Sequence, residues 1–122
     1  MLFDSDPFKI GYVMGLIVGE GSFTADRRSP ALSLKLHRRD PFPFQILRYT
    51  LGGRVYGPYV HQGRKYYLYM LRGLELQAAI PVFDRYLPSS YRREQYERWR
   101  ATFFPHLPVP DTGHVTFPGL DE

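Results

Sequence analysis

Residues 7 to 19 read PFKIGYVMGLIVG, an apolar run with a proline at its start, no turn signal, and glycine at every fourth position from Gly11 to Gly19. Proline suits the first turn of a helix, and an uninterrupted run of this kind reads as a buried helix, although periodicity alone leaves a strand open. On a helix Gly11, Gly15 and Gly19 fall along one face. Each glycine costs roughly 0.5–1 kcal/mol relative to alanine in a helix interior, so a stripe of three implies that something approaches that face closely. The stripe packs either on the protein's own sheet or on another subunit. Glu20 follows, beside the C-terminal end of the helix, where the helix dipole disfavours a carboxylate and a nearby cation is called for.

Two hairpins follow the helix. SFTAD and RRSPALSLKLHRR form the first, with Leu32, Leu34 and Leu36 alternating against Ser33, Lys35 and His37 as in a strand with one apolar and one basic face. RVYGPYV, a turn at HQGR, and KYYLYMLRG form the second, in which Tyr67, Tyr69 and Leu71 alternate with Tyr66, Leu68 and Met70. Either set can face the core. Between the hairpins, FQILRYTLGG has the apolar spacing of a short helix with a glycine stop. LELQAAIPVFDRYL is helical with a kink or break at Pro81, and SSYRREQYERWRATFF is a helix opened by a serine cap. The expected architecture is α+β: one domain over residues 1–104, with a four-stranded antiparallel sheet and its helices on one face. Residues 105–122, rich in proline, read as an extended, mobile tail.

The absence of cysteine excludes disulfides, thiolate zinc sites and cysteine nucleophiles, and the four histidines lack zinc-binding spacing. No apolar run is long enough to span a membrane and the N-terminus lacks the charge of a signal peptide, so an intracellular protein, cytoplasmic or organellar, is expected rather than a secreted one. Charge is distributed unevenly. Residues 22 to 72 hold ten Lys and Arg against Asp26 and Asp40, a local balance of +8 within a chain of net charge +4. Thirteen of the sixteen cations are arginine, whose planar fork suits phosphates and guanine edges, so a nucleic acid is the expected partner.

GYVMGLIVGEGSF resembles the signature of the LAGLIDADG homing endonucleases, with Gly15, Leu16, Ile17, Glu20, Gly21, Ser22 and Phe23 as the specific matches. Val18 stands where that family usually has a first acid. The order of elements also resembles the family's αββαββα fold over residues 8 to 104 or so. The resemblance implies a single-motif homodimer that cleaves double-stranded DNA with Mg²⁺ and serves intron or intein mobility. It implies that Gly11, Gly15 and Gly19 meet their own copies across a two-fold axis. Glu20 and the Gly19 carbonyl would ligate the metal. Asp40 would lie near the reacting water, unless it caps the following helix, and Arg92 would stand where the family usually carries a basic lysine. Candidate DNA contacts are Arg27, Arg28, Lys35, His37 and Arg39 in the first hairpin, and Arg54, Tyr56, His61, Arg64, Lys65, Tyr67 and Tyr69 in the second. The alternative is a relative that binds DNA without cutting, as a regulator, or an RNA-splicing maturase whose partner is RNA.

Overall fold

The computed structural model describes residues 6–37 and 40–109. Helix α1 (Pro7–Glu20) starts where the Asp6 carboxylate accepts the Phe8 N–H at 2.8 Å, with Pro7 in the first turn, where a missing N–H has no consequence. It buries Ile10, Val13, Met14 and Ile17, then passes without a loop into strand β1 (Gly21–Asp26). That junction requires Gly21. A Cβ there would lie 2.7 Å from the Ile17 carbonyl oxygen, the same oxygen that accepts the Gly21 N–H.

Arg27 and Arg28 form the turn between β1 and strand β2 (Ser29–Leu36). Helix α2 (Phe42–Leu51) buries Phe44, Ile46, Leu47 and Leu51 and stops at Gly52 and Gly53, both at positive φ. Strands β3 (Arg54–His61) and β4 (Arg64–Arg72) make the second hairpin, with a bulge in β3 between Tyr56 and Tyr59. Helices α3 (Gly73–Tyr86) and α4 (Tyr91–Phe103) complete the described chain. The α3 helix runs through Pro81 without a break; the proline is exposed.

The strands are ordered β1-β2-β4-β3, and every neighbouring pair is antiparallel, so the fold is α+β with an open four-stranded sheet. Phe23, Leu32, Leu34, Leu36, Tyr69 and Leu71 on one face of that sheet join the buried sides of all four helices in a single core. β1 is an edge strand, and α4 covers its outward backbone. The Gln95 side-chain oxygen accepts the Phe23 N–H at 3.0 Å, and the Trp99 indole donates to the Thr24 carbonyl at 2.8 Å. These two backbone groups are thereby withdrawn from pairing with another chain.

The helical layer contains one buried polar cluster. The Tyr96 hydroxyl donates to Asp84 Oδ1 at 2.6 Å, while Arg100 grips both oxygens of the same carboxylate, Nε to Oδ1 at 2.7 Å and Nη2 to Oδ2 at 2.8 Å. Arg100 also donates to the carbonyls of Phe104, Leu107 and Pro108 at 2.9, 3.1 and 3.2 Å. The first residues after α4 are therefore held against the domain, in contrast to the free tail expected from 105 onward; residues 110–122 lie outside the described part. Arg93 caps the C-terminal end of α3 in a related way, donating to the carbonyls of Phe83, Asp84 and Leu87; the Phe83 oxygen also accepts the Leu87 N–H at 3.1 Å.

Candidate nucleic-acid interface

Cross-strand register fixes which residues reach the sheet's outer face. Leu34 pairs with Tyr69 and Tyr69 with Val55, all on the core side, whereas Lys35 pairs with Leu68 and Leu68 with Tyr56 on the other. By the same alternation Ser33, Met70 and Arg54 lie outward, as do Tyr59, Tyr66, His61 and Arg64 toward the tip of the second hairpin. Lys35 places its ammonium 4.3 Å from the centre of the Tyr66 ring, and His37 and Tyr59 lie beside the same ring. Between residues 41 and 74 the sequence contains no Asp or Glu. The outer face of β2, β3 and β4 thus combines exposed cations, tyrosine rings and no carboxylate. Arg27 and Arg28 extend it at the exposed tip of the first hairpin.

Three expected contacts are placed elsewhere. Tyr69 is fully buried and donates its hydroxyl to the Gly52 carbonyl at 2.7 Å. Burial, followed by the Glu75 carboxylate, raises its pKa against an opposing pull from Arg48, so the phenol stays protonated. Tyr67 also faces inward and meets the edge of Phe44, with ring centres 5.6 Å apart. Lys65 alternates with Tyr66 and so lies on the Tyr67 side, although it is exposed. The reason is the phase of β4, which is set by its pairing with β2. The outward aromatic residues are Tyr56, Tyr59 and Tyr66. Arg39 lies outside the described residues.

At the other end of α1, Glu20 is exposed and has no ion pair or hydrogen bond among the described residues, so the cation expected near it is not supplied by the described part of the protomer. It lines an open cleft of about 400 Å³ with Tyr12, Gly15, Leu16 and Gly19. This cleft runs along the glycine stripe, which faces away from the sheet: a Cβ at Gly11, Gly15 or Gly19 would meet no atom within 4 Å. The stripe therefore does not pack on the protomer's own sheet, and nothing in the protomer's described part covers it. Tyr12 flanks it and contacts Phe8 and Phe42, both exposed.

Arg92 is brought to the β1 edge near this end of α1. Its Nη1 donates to the Gln95 side-chain oxygen at 2.9 Å, the oxygen that also holds the Phe23 N–H, and its Nε is buried with no hydrogen-bond partner among the described residues. Asp40 is not brought into this cleft. It lines a different, more apolar cavity with Pro41, Phe44, Gln45, Arg48, Val55 and Tyr67. Nor does it cap α2, whose cap position is Pro41 with no side-chain hydrogen bond.

Gln95 escaped the sequence reading, since a bond from its side chain to a backbone group 72 residues away leaves no local pattern. Among the described residues no group of three or more His, Cys, Asp or Glu side chains could hold a metal, and no helix is long and apolar enough to cross a membrane. Neither a protein-family model nor a curated protein sequence matches the chain.

Proposed function

We propose that the chain is a LAGLIDADG-type homing endonuclease, which cleaves double-stranded DNA as a homodimer with Mg²⁺ and uses Glu20 of each protomer at the cut. The observation that carries this reading is the exposed Glu20, without a partner among the described residues, at the foot of a helix whose glycine face no described residue covers. A carboxylate at a helix C-terminus without a protein cation is stabilised by a bound one. A glycine stripe with no neighbour leaves room for a second helix at close range. An isologous contact through that stripe puts two copies of Glu20 near one axis.

The donor chemistry fits Mg²⁺, which takes hard oxygen ligands and is held through one or two carboxylates together with substrate phosphates. Glu20 supplies a carboxylate. Gly19 supplies a carbonyl, which as one of the last four of α1 has no intrahelical partner. When bound, the metal ions supply charge stabilisation to both the attacking and the leaving oxygen of an in-line phosphodiester hydrolysis. The chain's own contribution is to hold the ligands and the strand. The acid-free outer face, with Lys35, Arg54 and Arg64, positions the duplex by its phosphates, and Arg27 and Arg28 do so at the hairpin tip. Arg92 is a fixed positive charge linked through Gln95 to the start of β1; a guanidinium stays protonated, so it stabilises charge and does not accept a proton.

A second reading keeps DNA or RNA binding without cleavage, in a regulator or a splicing maturase. It is favoured by Val18 and Arg92, which depart from the acid and the lysine usual in the family. Selection of bound and cut sites from a randomised duplex library, with and without Mg²⁺, separates the two. We expect enriched sites that are cut only with the metal. Glu20→Gln is expected to bind the same sites within about twofold while losing several kcal/mol of catalysis, on the order of 10³-fold in rate. Undiminished cleavage by this variant would remove the metal assignment, and enrichment of no site would remove the DNA partner.

A further inference from the structure

Two N–H donors converge on a single atom of Gln95: the backbone of Phe23 at 3.0 Å and Arg92 Nη1 at 2.9 Å. Only the amide oxygen can accept both, so the orientation of the Gln95 amide is determined by its neighbours. The Phe23 N–H belongs to β1, three residues beyond Glu20 and in the strand that continues α1 without a loop. Gln95 therefore joins the guanidinium to the segment that carries the acid. Arg92 Nε is buried with no hydrogen-bond partner among the described residues, so within them this Gln95 contact is the hydrogen bond that holds the guanidinium. A buried donor without a hydrogen-bond partner needs an explanation, and strain kept at a functional site is one.

We infer that Gln95 is the positioning residue for Arg92, holding its guanidinium beside the Glu20 end of α1. The inference rests on the endonuclease reading for what Arg92 acts upon, a phosphate of the bound duplex. Gln95 itself touches no substrate. A leucine at 95 keeps the volume and removes the acceptor, freeing Arg92 from β1.

The test is a double-mutant cycle on the full chain, using the duplex enriched from the randomised library. Single-turnover cleavage is expected to fall about 10- to 100-fold in Gln95→Leu, the range for removing a group that orients a site ligand, with the Kd for the duplex changed by less than about threefold. In Arg92→Ala, adding Gln95→Leu should slow the reaction no further. Losses that multiply across the cycle would show that Gln95 supports β1 alone and overturn the inference, as would a Gln95→Leu variant with wild-type rates. The Arg92 side-chain N–H resonances give a readout independent of cleavage. They should shift and broaden in Gln95→Leu and return in Gln95→Glu, which keeps an acceptor in place; resonances unchanged by Gln95→Leu would also overturn it. Resonances that depend on Gln95 in a protein that neither binds nor cuts duplex would leave the positioning contact standing and reject the endonuclease reading.

Discussion

Glu20 and Asp84 are both carboxylates, yet their surroundings assign them opposite work. Asp84 is buried, receives a hydroxyl and two guanidinium hydrogen bonds, and locks α3 to α4. Glu20 is exposed and has no protein partner among the described residues. Removing the charge at Asp84 leaves the Arg100 guanidinium largely buried without its counter-ion. Asp84→Asn is therefore expected to lower the free energy of unfolding by about 3–5 kcal/mol, read as a drop in the urea midpoint at unchanged slope. Glu20→Gln has no such contact to lose and should unfold at the wild-type midpoint. Glu20 was legible because a short local motif surrounds it. Asp84 was not, since its partners Tyr96 and Arg100 lie on another helix and nothing in LELQAAIPVFDRYL marks one acid as buried.

At the scale of elements, α1 and β4 show where pattern suffices and where it does not. The alternation in β2 has leucine on one side and polar residues on the other, so its inward face could be read directly. In β4 both phases are apolar or aromatic, and Tyr67 and Tyr69 were as eligible for the outer face as Tyr66 and Leu68. Pairing with β2 decides the matter, because Leu34 opposite Tyr69 and Leu36 opposite Tyr67 carry the core side across. For α1 the sequence showed that glycine lines one face, and the structure adds that this face is open. A contrast follows for Gly15→Ala. The new methyl meets nothing within 4 Å among the described residues of the protomer, and alanine is the better helix former, so the isolated protomer should gain about 0.5–1 kcal/mol of stability. If two stripes meet in a dimer, the same methyl separates the helices. Sedimentation across a concentration series should then show weaker association for a variant that melts higher at dilution. Stronger association in Gly15→Ala would place the glycine stripe outside the dimer contact.

For the molecule as a whole, the separation of charge and the buried phenols set the limits of stability. Cations and tyrosines occupy the outer face of the sheet, while Tyr69 and Tyr96 are sealed in the core, both at 0% exposure. Burial raises the pKa of each above 10.0, with a further rise at Tyr96 from its hydrogen bond to Asp84 and the charge of that carboxylate. The unfolded phenols ionise near pH 10. Above that pH the folded state keeps protons that the unfolded state releases, so stability contributed below pH 10 is lost as the pH rises. Each such tyrosine adds a slope of about 1.4 kcal/mol per pH unit, so the pair should make the unfolding free energy fall by about 2.7 kcal/mol per unit beyond pH 10. Tyr96→Phe removes one titrating group from both states and should roughly halve that slope, although the variant starts less stable at pH 7 for want of the hydroxyl bond to Asp84. Urea unfolding of the two proteins from pH 8 to 11 measures the difference. Parallel alkaline limbs would mean that the Tyr96 hydroxyl reaches solvent and ionises in the folded protein, against the packing of α4 on α3 described above.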